Sequence, residues 1–176
     1  MMIAMLTFAD FETAAPAIAD FVQRRIDDTG LCFVGTTRSD GWPRVSPMEL
    51  FTCTGRLYVG SMPNAVKALD LRRDPRCCLI MPLADKDDMV GEAKLFCHAR
   101  EVTDVAEWEG VRTAFLELRG FDPIGDPGGA HLFRLEVEGA AWQRVEGDDF
   151  RTTSWRAGEP VRERARTGAT GESRDL

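Results

Sequence analysis

The sequence predicts a mostly β protein, in which a mixed, barrel-like antiparallel sheet carries helices at three places. Six or seven short segments rich in strand-forming residues are separated mostly by turns. The connections between the early strands are too short for parallel crossovers, which need about a dozen residues. The chain has 176 residues, of which 44% are hydrophobic and 29% charged, as is usual for one globular domain with a hydrophobic core.

The first patterned segment is an amphipathic helix over residues 11–28. Its apolar side chains recur near the 3.6-residue period, and charged side chains occupy the opposite face. Thr29-Gly30 follows directly and is typical of a helix end.

An antiparallel meander follows this helix, with strands over residues 31–37, 44–53 and 56–61. The turn residues Ser39-Asp40-Gly41 and Thr54-Gly55 reverse the chain between these strands. A helix over 65–73 comes next, with Asn64 as its N-cap and Asp74-Pro75 as its stop.

The remaining pattern alternates strands, loops and one more helix. It predicts a strand over 76–81, a charged loop over 84–88, a long strand over 92–103, a helix over 105–118, a loop over 121–129, and a hairpin-like pair over 131–137 and 140–145.

The end of the chain differs from the body in composition. Six arginines and four acidic residues lie between Phe150 and Leu176, and Trp155 is the only large anchor after Thr153. We therefore divide the chain into a barrel domain with its N-terminal helix (1–150) and a polar, arginine-rich tail (151–176) that is partly disordered, above all over 167–176. The arginines of the tail either remain solvated or reach an anionic ligand of a partner subunit.

Charge and hydropathy exclude several classes of partner. The net charge of −7 repels nucleic acid and acidic lipid surfaces, and no apolar run reaches the ~20 residues of a membrane helix. The first residues lack the basic flank of a secretory signal, so we expect a cytoplasmic protein.

The cysteines and histidines do not predict a metal site. Five cysteines without a Cys-x-x-Cys pair, and only two histidines, supply no zinc ligand set, and buried reduced thiols are the favoured interpretation. Gly-rich phosphate loops, Gly-x-Ser-x-Gly and His-Glu-x-x-His are also missing from the sequence, so no catalytic side chain is assigned.

A candidate phosphate site spans the second and third strands and the helix after them. Arg44 and Ser46 share one face of the second strand, because side chains alternate along a strand. The third strand ends at Ser61, where a helix begins and presents free N–H groups, and Lys67 lies on its first turns. A phosphate there would meet Ser61, Lys67 and Arg44. The alternative is that Arg44, Lys67 and Arg73 are ordinary solvated surface residues.

Two motifs resemble those of the pyridoxamine 5′-phosphate oxidase-like flavoproteins: Asp-Gly-x-Pro-Arg-Val-x-Pro around Arg44 and Leu-Arg-Arg-Asp-Pro-Arg around Arg73. The resemblance extends over roughly residues 17–145. The resemblance implies an antiparallel split β-barrel of the FMN-binding type. It implies a homodimer with FMN, or a deazaflavin coenzyme, in a groove between the subunits. It further implies that Arg44 and Lys67 contact the phosphate and that Ser61 is the small polar residue at the strand end. By the same resemblance, Ser46 lies near the ring or ribityl chain, and Arg73 belongs to the cofactor-binding set.

The function implied by this resemblance is FMN-dependent hydride transfer to or from a small-molecule substrate. Pyridoxamine phosphate itself is not expected, because residues 155–159 do not match the substrate signature of the oxidases. A deazaflavin-dependent reductase is one alternative. A non-catalytic flavin-binding or regulatory module is another, because Glu49 and Glu92 replace cofactor-contacting residues of better-known oxidases. A dimeric scaffold with an empty groove is the third.

Overall fold

The computed structural model describes residues 5–82 and 90–176 and confirms the antiparallel barrel with flanking helices. The helices of the described residues are α1 (Phe8–Ala14), α2 (Pro16–Thr29), α3 (Val66–Arg73) and α4 (Val105–Arg119). The strands are β1 (Leu31–Thr37), β2 (Pro43–Cys53), β3 (Arg56–Ser61), β4 (Arg76–Met81), β5 (Glu92–Glu101), β6 (His131–Glu146), β7 (Asp149–Arg156), β8 (Arg162–Thr167) and β9 (Ser173–Asp175). The predicted charged loop over 84–88 lies outside the described residues.

Six strands close the barrel in the order β3-β2-β1-β4-β5-β6, because β3 also pairs with β6. Every pairing in the sheet is antiparallel. The long strand β6 makes closure possible: the residues near its start pair with β3, and those from Gly139 onward pair with β7.

The predicted hairpin within residues 131–145 is wrong, since β6 is one continuous strand. Both halves of β6 pair with β5, and the register shifts between Phe96 and Cys97, opposite Glu138-Gly139. A β-bulge accommodates an extra residue in one strand without reversing the chain. The turn-like dipeptide therefore marks a bulge.

The N-terminal helix is two helices instead of the single one predicted over 11–28. Thr7 begins α1 in a capping box with Asp10, and the break lies at Ala15, before Pro16 at the first position of α2. Proline is favoured at that position because its missing N–H is not needed there. The predicted end of the helix is confirmed, since Gly30 caps α2 in the left-handed conformation.

The main core fills the barrel and the side against which α1 and α2 pack. Phe11, Ile18 and Phe21 of these helices are almost fully buried with the inward residues of the strands. A second apolar cluster joins α4 to the outside of β2 and β3 through Trp108, Phe115 and their neighbours. Tyr58 donates a 2.8 Å hydrogen bond to Glu107 of α4 at the edge of this cluster.

Strands β7, β8 and β9 occupy the segment predicted to be a partly disordered tail. Trp155 of β7 is 6% exposed and its ring centroid lies 5.2 Å from that of Phe11. Cross-strand ion pairs such as Arg164 to Asp175, at 2.7 Å, also hold this polar segment to the sheet. The structure has strands where the sequence predicts partial disorder, because ladder hydrogen bonds and cross-strand charges are not visible in the composition of a segment. The predicted boundary at residue 150 falls inside β7, and the division into two parts stays a prediction.

The cysteines of the described residues are all free thiols. Cys32, Cys77 and Cys97 are buried in the main core, as predicted for reduced thiols. Burial raises the pKa of Cys32 and of Cys77 to about 12. Among the described residues, none of the four helices has the length and apolar character to cross a membrane.

Candidate functional site

Helix α3 lies at one end of the barrel. Ala68 and Leu71 bury its apolar side in the main core. Its polar residues bond to strand ends on both sides, to Thr36 of β1 and to Glu101 of β5. The same barrel end therefore receives the end of β3 at Ser61, from which the chain enters α3.

The N-cap predicted for this helix is wrong. Ala65, not Asn64, is the N-cap residue and provides no side-chain hydrogen bond. Asn64 has a positive φ of 59° and forms part of the turn before the helix. Its backbone N–H donates to Nε2 of His131, at 3.2 Å, so this donor is already satisfied.

Two of the predicted site residues meet at a buried carboxylate. Arg44 Nε donates to Oδ2 of Asp70 at 2.7 Å, and Arg73 Nη2 donates to Oδ1 at 3.2 Å. Thr36 adds a hydroxyl hydrogen bond to Oδ2 at 3.1 Å. Asp70 is only 2% exposed. We call Thr36, Arg44, Asp70 and Arg73 the Asp70 cluster.

Asp70 remains an anion in this cluster. Burial alone would raise its pKa, but hydrogen bonds from Arg44, Arg73 and Thr36 outweigh burial, and the pKa of Asp70 is lowered. Arg73 also donates to the backbone carbonyl of Thr37. The cluster thus connects β1, β2 and α3 by charge-assisted hydrogen bonds.

The other three predicted site residues do not take part in this cluster. Ser61 is 8% exposed, and its Oγ has no hydrogen-bond partner among the described residues. Lys67 is half-buried on the first turn of α3, three residues before Asp70, and has no ion pair within the described part of the chain. Ser46 is half-buried on β2, on the same face as Arg44.

These residues fit a phosphate group. An unpartnered buried hydroxyl is costly unless a ligand or water satisfies it. Lys67, Arg44 and Arg73 with Asp70 leave a net charge of +2. A phosphate monoester carries about −1.5 to −2 near pH 7. Hydroxyl, ammonium and guanidinium groups are the donors that bind phosphate in proteins.

A cavity of about 430 Å³ opens beside the Asp70 cluster, on the outside of the barrel. Thr36, Thr37 and Pro43 line its end near Arg44, and Cys78 and Phe96 line its floor on β4 and β5. A pocket of this size accommodates a drug-sized planar ligand. Thr36 and Thr37 also bond to the Asp70 cluster, but none of Arg44, Ser46, Ser61, Lys67 and Arg73 lines this cavity.

The family model described as pyridoxamine 5′-phosphate oxidase matches residues 16–158 of the chain, which cover the barrel, α3 and the Asp70 cluster. The chain belongs to this family. No curated protein matches it.

Several solved structures share the fold. Campylobacter jejuni ChuZ superposes with a TM-score of 0.69 at 11% identity, over 89% of this chain and 65% of that chain. A Clostridium acetobutylicum protein related to general stress protein 26, of the pyridoxinephosphate oxidase family, has a TM-score of 0.60 at 16% identity, over 78% and 92%. HutZ, the heme storage protein from Vibrio cholerae, has a TM-score of 0.56 at 16% identity, over 81% and 96%. This chain spans about two thirds of the length of the Campylobacter protein. At these identities the likeness shows the fold alone.

Glu49 and Glu92, which are expected from the sequence to replace cofactor-contacting residues, both have ion-pair partners. Glu49 of β2 lies 3.1 Å from Arg119 at the end of α4. Glu92 of β5 lies 2.5 Å from Lys94. Glu49 therefore links β2 to the end of α4, and Glu92 forms an ion pair within β5.

Sequence reasoning missed the acids that organise this barrel end. Asp70 lies three residues from both Lys67 and Arg73, a spacing that places all three on neighbouring turns of one helix face. That spacing was the available signal. On the other side of α3, Glu101 accepts two 2.7 Å hydrogen bonds from Arg72 and lies 2.8 Å from Nδ1 of His131. Nothing in the sequence pairs these three residues.

Proposed function

We propose that the chain is a homodimeric FMN-dependent oxidoreductase that transfers hydride to or from a small-molecule substrate other than pyridoxamine phosphate. The observation that carries this proposal is the set of donors at this barrel end: the buried hydroxyl of Ser61 and the ammonium of Lys67, both without a partner among the described residues, and the guanidinium groups of Arg44 and Arg73 on Asp70. Membership of the family supports it, since flavin binding is common there.

Each residue has a defined part in holding the cofactor. Ser61 donates its hydroxyl to the phosphate, and the ammonium of Lys67 approaches it from α3. Arg44 uses Nε for Asp70, which leaves its terminal nitrogens for the ligand. Arg73 completes the positive field. Ser46, two residues along the same face of β2, lies toward the ribityl chain.

The bound flavin would supply the hydride chemistry itself, and the protein would hold and shield it. In this proposal, the pocket lined by Thr36, Cys78 and Phe96 provides an apolar wall for the ring. A catalytic side chain and a metal are not required for this function. The five thiols favour a reducing compartment such as the cytoplasm, and the net charge of −7 disfavours nucleic acid as a partner.

Two other functions are alternatives to this proposal. A deazaflavin coenzyme also carries a phosphate and would use the same donors. A non-catalytic flavin-binding or regulatory module would keep the phosphate site and perform no turnover. The ion pairs of Glu49 and Glu92 favour this module. The resemblance places cofactor-contacting residues at these two positions, and acids that pair with Arg119 and Lys94 do not make those contacts.

The experiment that tests the proposal titrates the purified protein separately with FMN, a deazaflavin coenzyme and heme. Heme is included because the neighbour HutZ is a heme storage protein. We expect FMN to bind with the tightest affinity, measured by flavin fluorescence and by native mass spectrometry. Steady turnover of reductant with an electron acceptor then separates an enzyme from a binding module. Preferential binding of heme, or no binding of either flavin, would contradict the proposal.

The homodimer is proposed to form through the outer face of β1, β2, β4 and β5. Val45, Gly35, Cys78 and Phe96 form one cross-strand row on this face, and Phe33 lies in the next row. The exposed fractions of Val45, Phe33 and Phe96 are 67%, 40% and 45%. Together these side chains form a large exposed apolar face for a single chain. Members of the family typically form dimers.

Replacing Phe33 with glutamate is expected to separate the subunits. A charge buried in an apolar interface is strongly unfavourable without a partner. Light scattering should give a mass near 19.6 kDa for the variant and twice that for the unaltered protein. Leu118→Glu on α4, where the side chain is 64% exposed, is the matched control and should remain dimeric. A dimeric Phe33→Glu protein would place the interface elsewhere.

A further inference from the structure

Asp70 is a negatively charged residue at a site that is proposed to bind an anion, so its presence needs an explanation. It is a carboxylate, 2% exposed, on the same helix as Lys67. A negative charge near a phosphate weakens phosphate binding by repulsion, and a charge is rarely buried unless it is paired. A direct role in binding therefore does not explain why an acid occupies this position.

The hydrogen bonds of Asp70 supply the explanation. One carboxylate oxygen accepts from Arg44 and Thr36, and the other accepts from Arg73. The two guanidinium groups come from different elements, β2 and α3, and Asp70 fixes both relative to β1. An unrestrained arginine side chain loses rotamer entropy when it binds a ligand. A side chain held in advance loses less, and the ligand binds more tightly.

We propose that Asp70 is a positioning residue that holds Arg44 and Arg73 in the orientation that binds the phosphate of the cofactor. This inference rests on the proposed function. Asp70 also sets the charge of the site: the three cations Arg44, Lys67 and Arg73 would give +3, and the carboxylate reduces the charge to +2, which matches a phosphate monoester.

The sign of one substitution separates positioning from simple repulsion. Asp70→Asn keeps the size of the side chain and removes its charge. Repulsion alone predicts that this variant binds FMN more tightly. Positioning predicts weaker binding, by roughly tenfold, because a charge-assisted hydrogen bond contributes about 1.5–3 kcal/mol and tenfold corresponds to about 1.4 kcal/mol. Asp70→Glu keeps the charge and moves the carboxylate, so positioning predicts weaker binding again, whereas a pure charge effect predicts no change.

The experiment compares FMN and riboflavin affinities of the full-length protein by flavin fluorescence. Riboflavin lacks the phosphate, so its affinity should change less than twofold in either Asp70 variant if Asp70 acts on the phosphate site. Asp74→Asn is the matched control: Asp74 follows α3 directly, and its one ion pair among the described residues is with Arg76, at 2.7 Å. Its FMN affinity should be equal to, or slightly tighter than, that of the unaltered protein.

A double-mutant cycle shows whether Asp70 acts through arginine. Arg44→Gln removes one of the two groups that Asp70 holds, so the loss caused by Asp70→Asn should shrink in the Arg44→Gln background. A merely structural role would give the same loss in both backgrounds. If Asp70→Asn does not fold, Asp70→Glu supports the same cycle.

The outcomes separate the two proposals. Unaltered protein that binds FMN, with Asp70 variants that bind it equally or more tightly, overturns the positioning role and leaves the proposed function intact. A loss that is equal for FMN and riboflavin also overturns the positioning role. Failure of the unaltered protein to bind FMN overturns both.

Discussion

Replacing Lys67 with alanine is expected to weaken FMN binding by roughly 10- to 100-fold and to leave riboflavin binding nearly unchanged. The ammonium of Lys67 has no ion pair within the described residues and lies at the start of α3, half-buried, three residues before Asp70. It is therefore the cation of the site that is free to pair with a phosphate. Flavin fluorescence titration of both ligands measures the effect.

Two further variants show whether the loss belongs to this position. Lys67→Arg keeps the charge and should retain most of the affinity, although a guanidinium differs from an ammonium in shape. Arg24→Ala removes a cation from the exposed side of α2, where Arg24 pairs with Asp20 at 3.2 Å. The Arg24 variant should bind FMN normally. A similar loss in both alanine variants would mean that only the overall charge matters, and unchanged affinity in Lys67→Ala would contradict the proposed phosphate site.

The sequence predicted most strands because their signals are local. The alternating pattern and the turn residues Ser39-Asp40-Gly41 and Thr54-Gly55 define β1, β2 and β3 within one or two residues. Helix α4 and the capping glycine of α2 were predicted for the same reason. Elements whose form depends on a distant partner were not predicted. The two halves of β6 form one strand only because both pair with β5.

The C-terminal strands show the same limit more clearly. Arginine, glutamate and threonine dominate β8, a composition that is typical of disordered segments. Pairing with β7 and the burial of Ala165 order this segment, and both depend on contacts outside it. Composition measures how much apolar surface a segment can bury alone, so it underestimates a strand added to an existing sheet.

The cations of the candidate site are evident in the sequence, whereas its anion has only the helix spacing from Lys67 and Arg73 as a signal. Arg44, Lys67 and Arg73 stand out as basic residues at a strand, a helix start and a helix end. Asp70 is one acid among 29 acidic residues, and its significance comes from burial against Arg44, which is 26 residues away in the chain. Long-range pairing of this kind is a property of the barrel, and the sequence does not display it locally.

Replacing Phe11 with alanine is expected to lower the free energy of unfolding by about 3–5 kcal/mol, the usual effect of truncating a fully buried phenylalanine. The ring of Phe11 is 0% exposed and lies between Phe8, at a centroid distance of 5.8 Å, and Trp155 of β7, at 5.2 Å. The substitution therefore removes the contact that joins the N-terminal helix to the C-terminal strands. Urea denaturation at a fixed protein concentration measures the loss, since dimerisation would make stability depend on concentration.

Phe150→Ala is the matched control, because Phe150 lies on the same strand as Trp155 but is 58% exposed. Its loss should stay within about 0.5 kcal/mol. The fluorescence of Trp155 should change in the same transition as the circular dichroism of the barrel, because α1 and β7 share one core. A loss in Phe11→Ala no larger than that of the control, or a separate early transition of the tryptophan signal, would mean that residues after 150 unfold independently. That result would support the division of the chain at residue 150 that the sequence predicts.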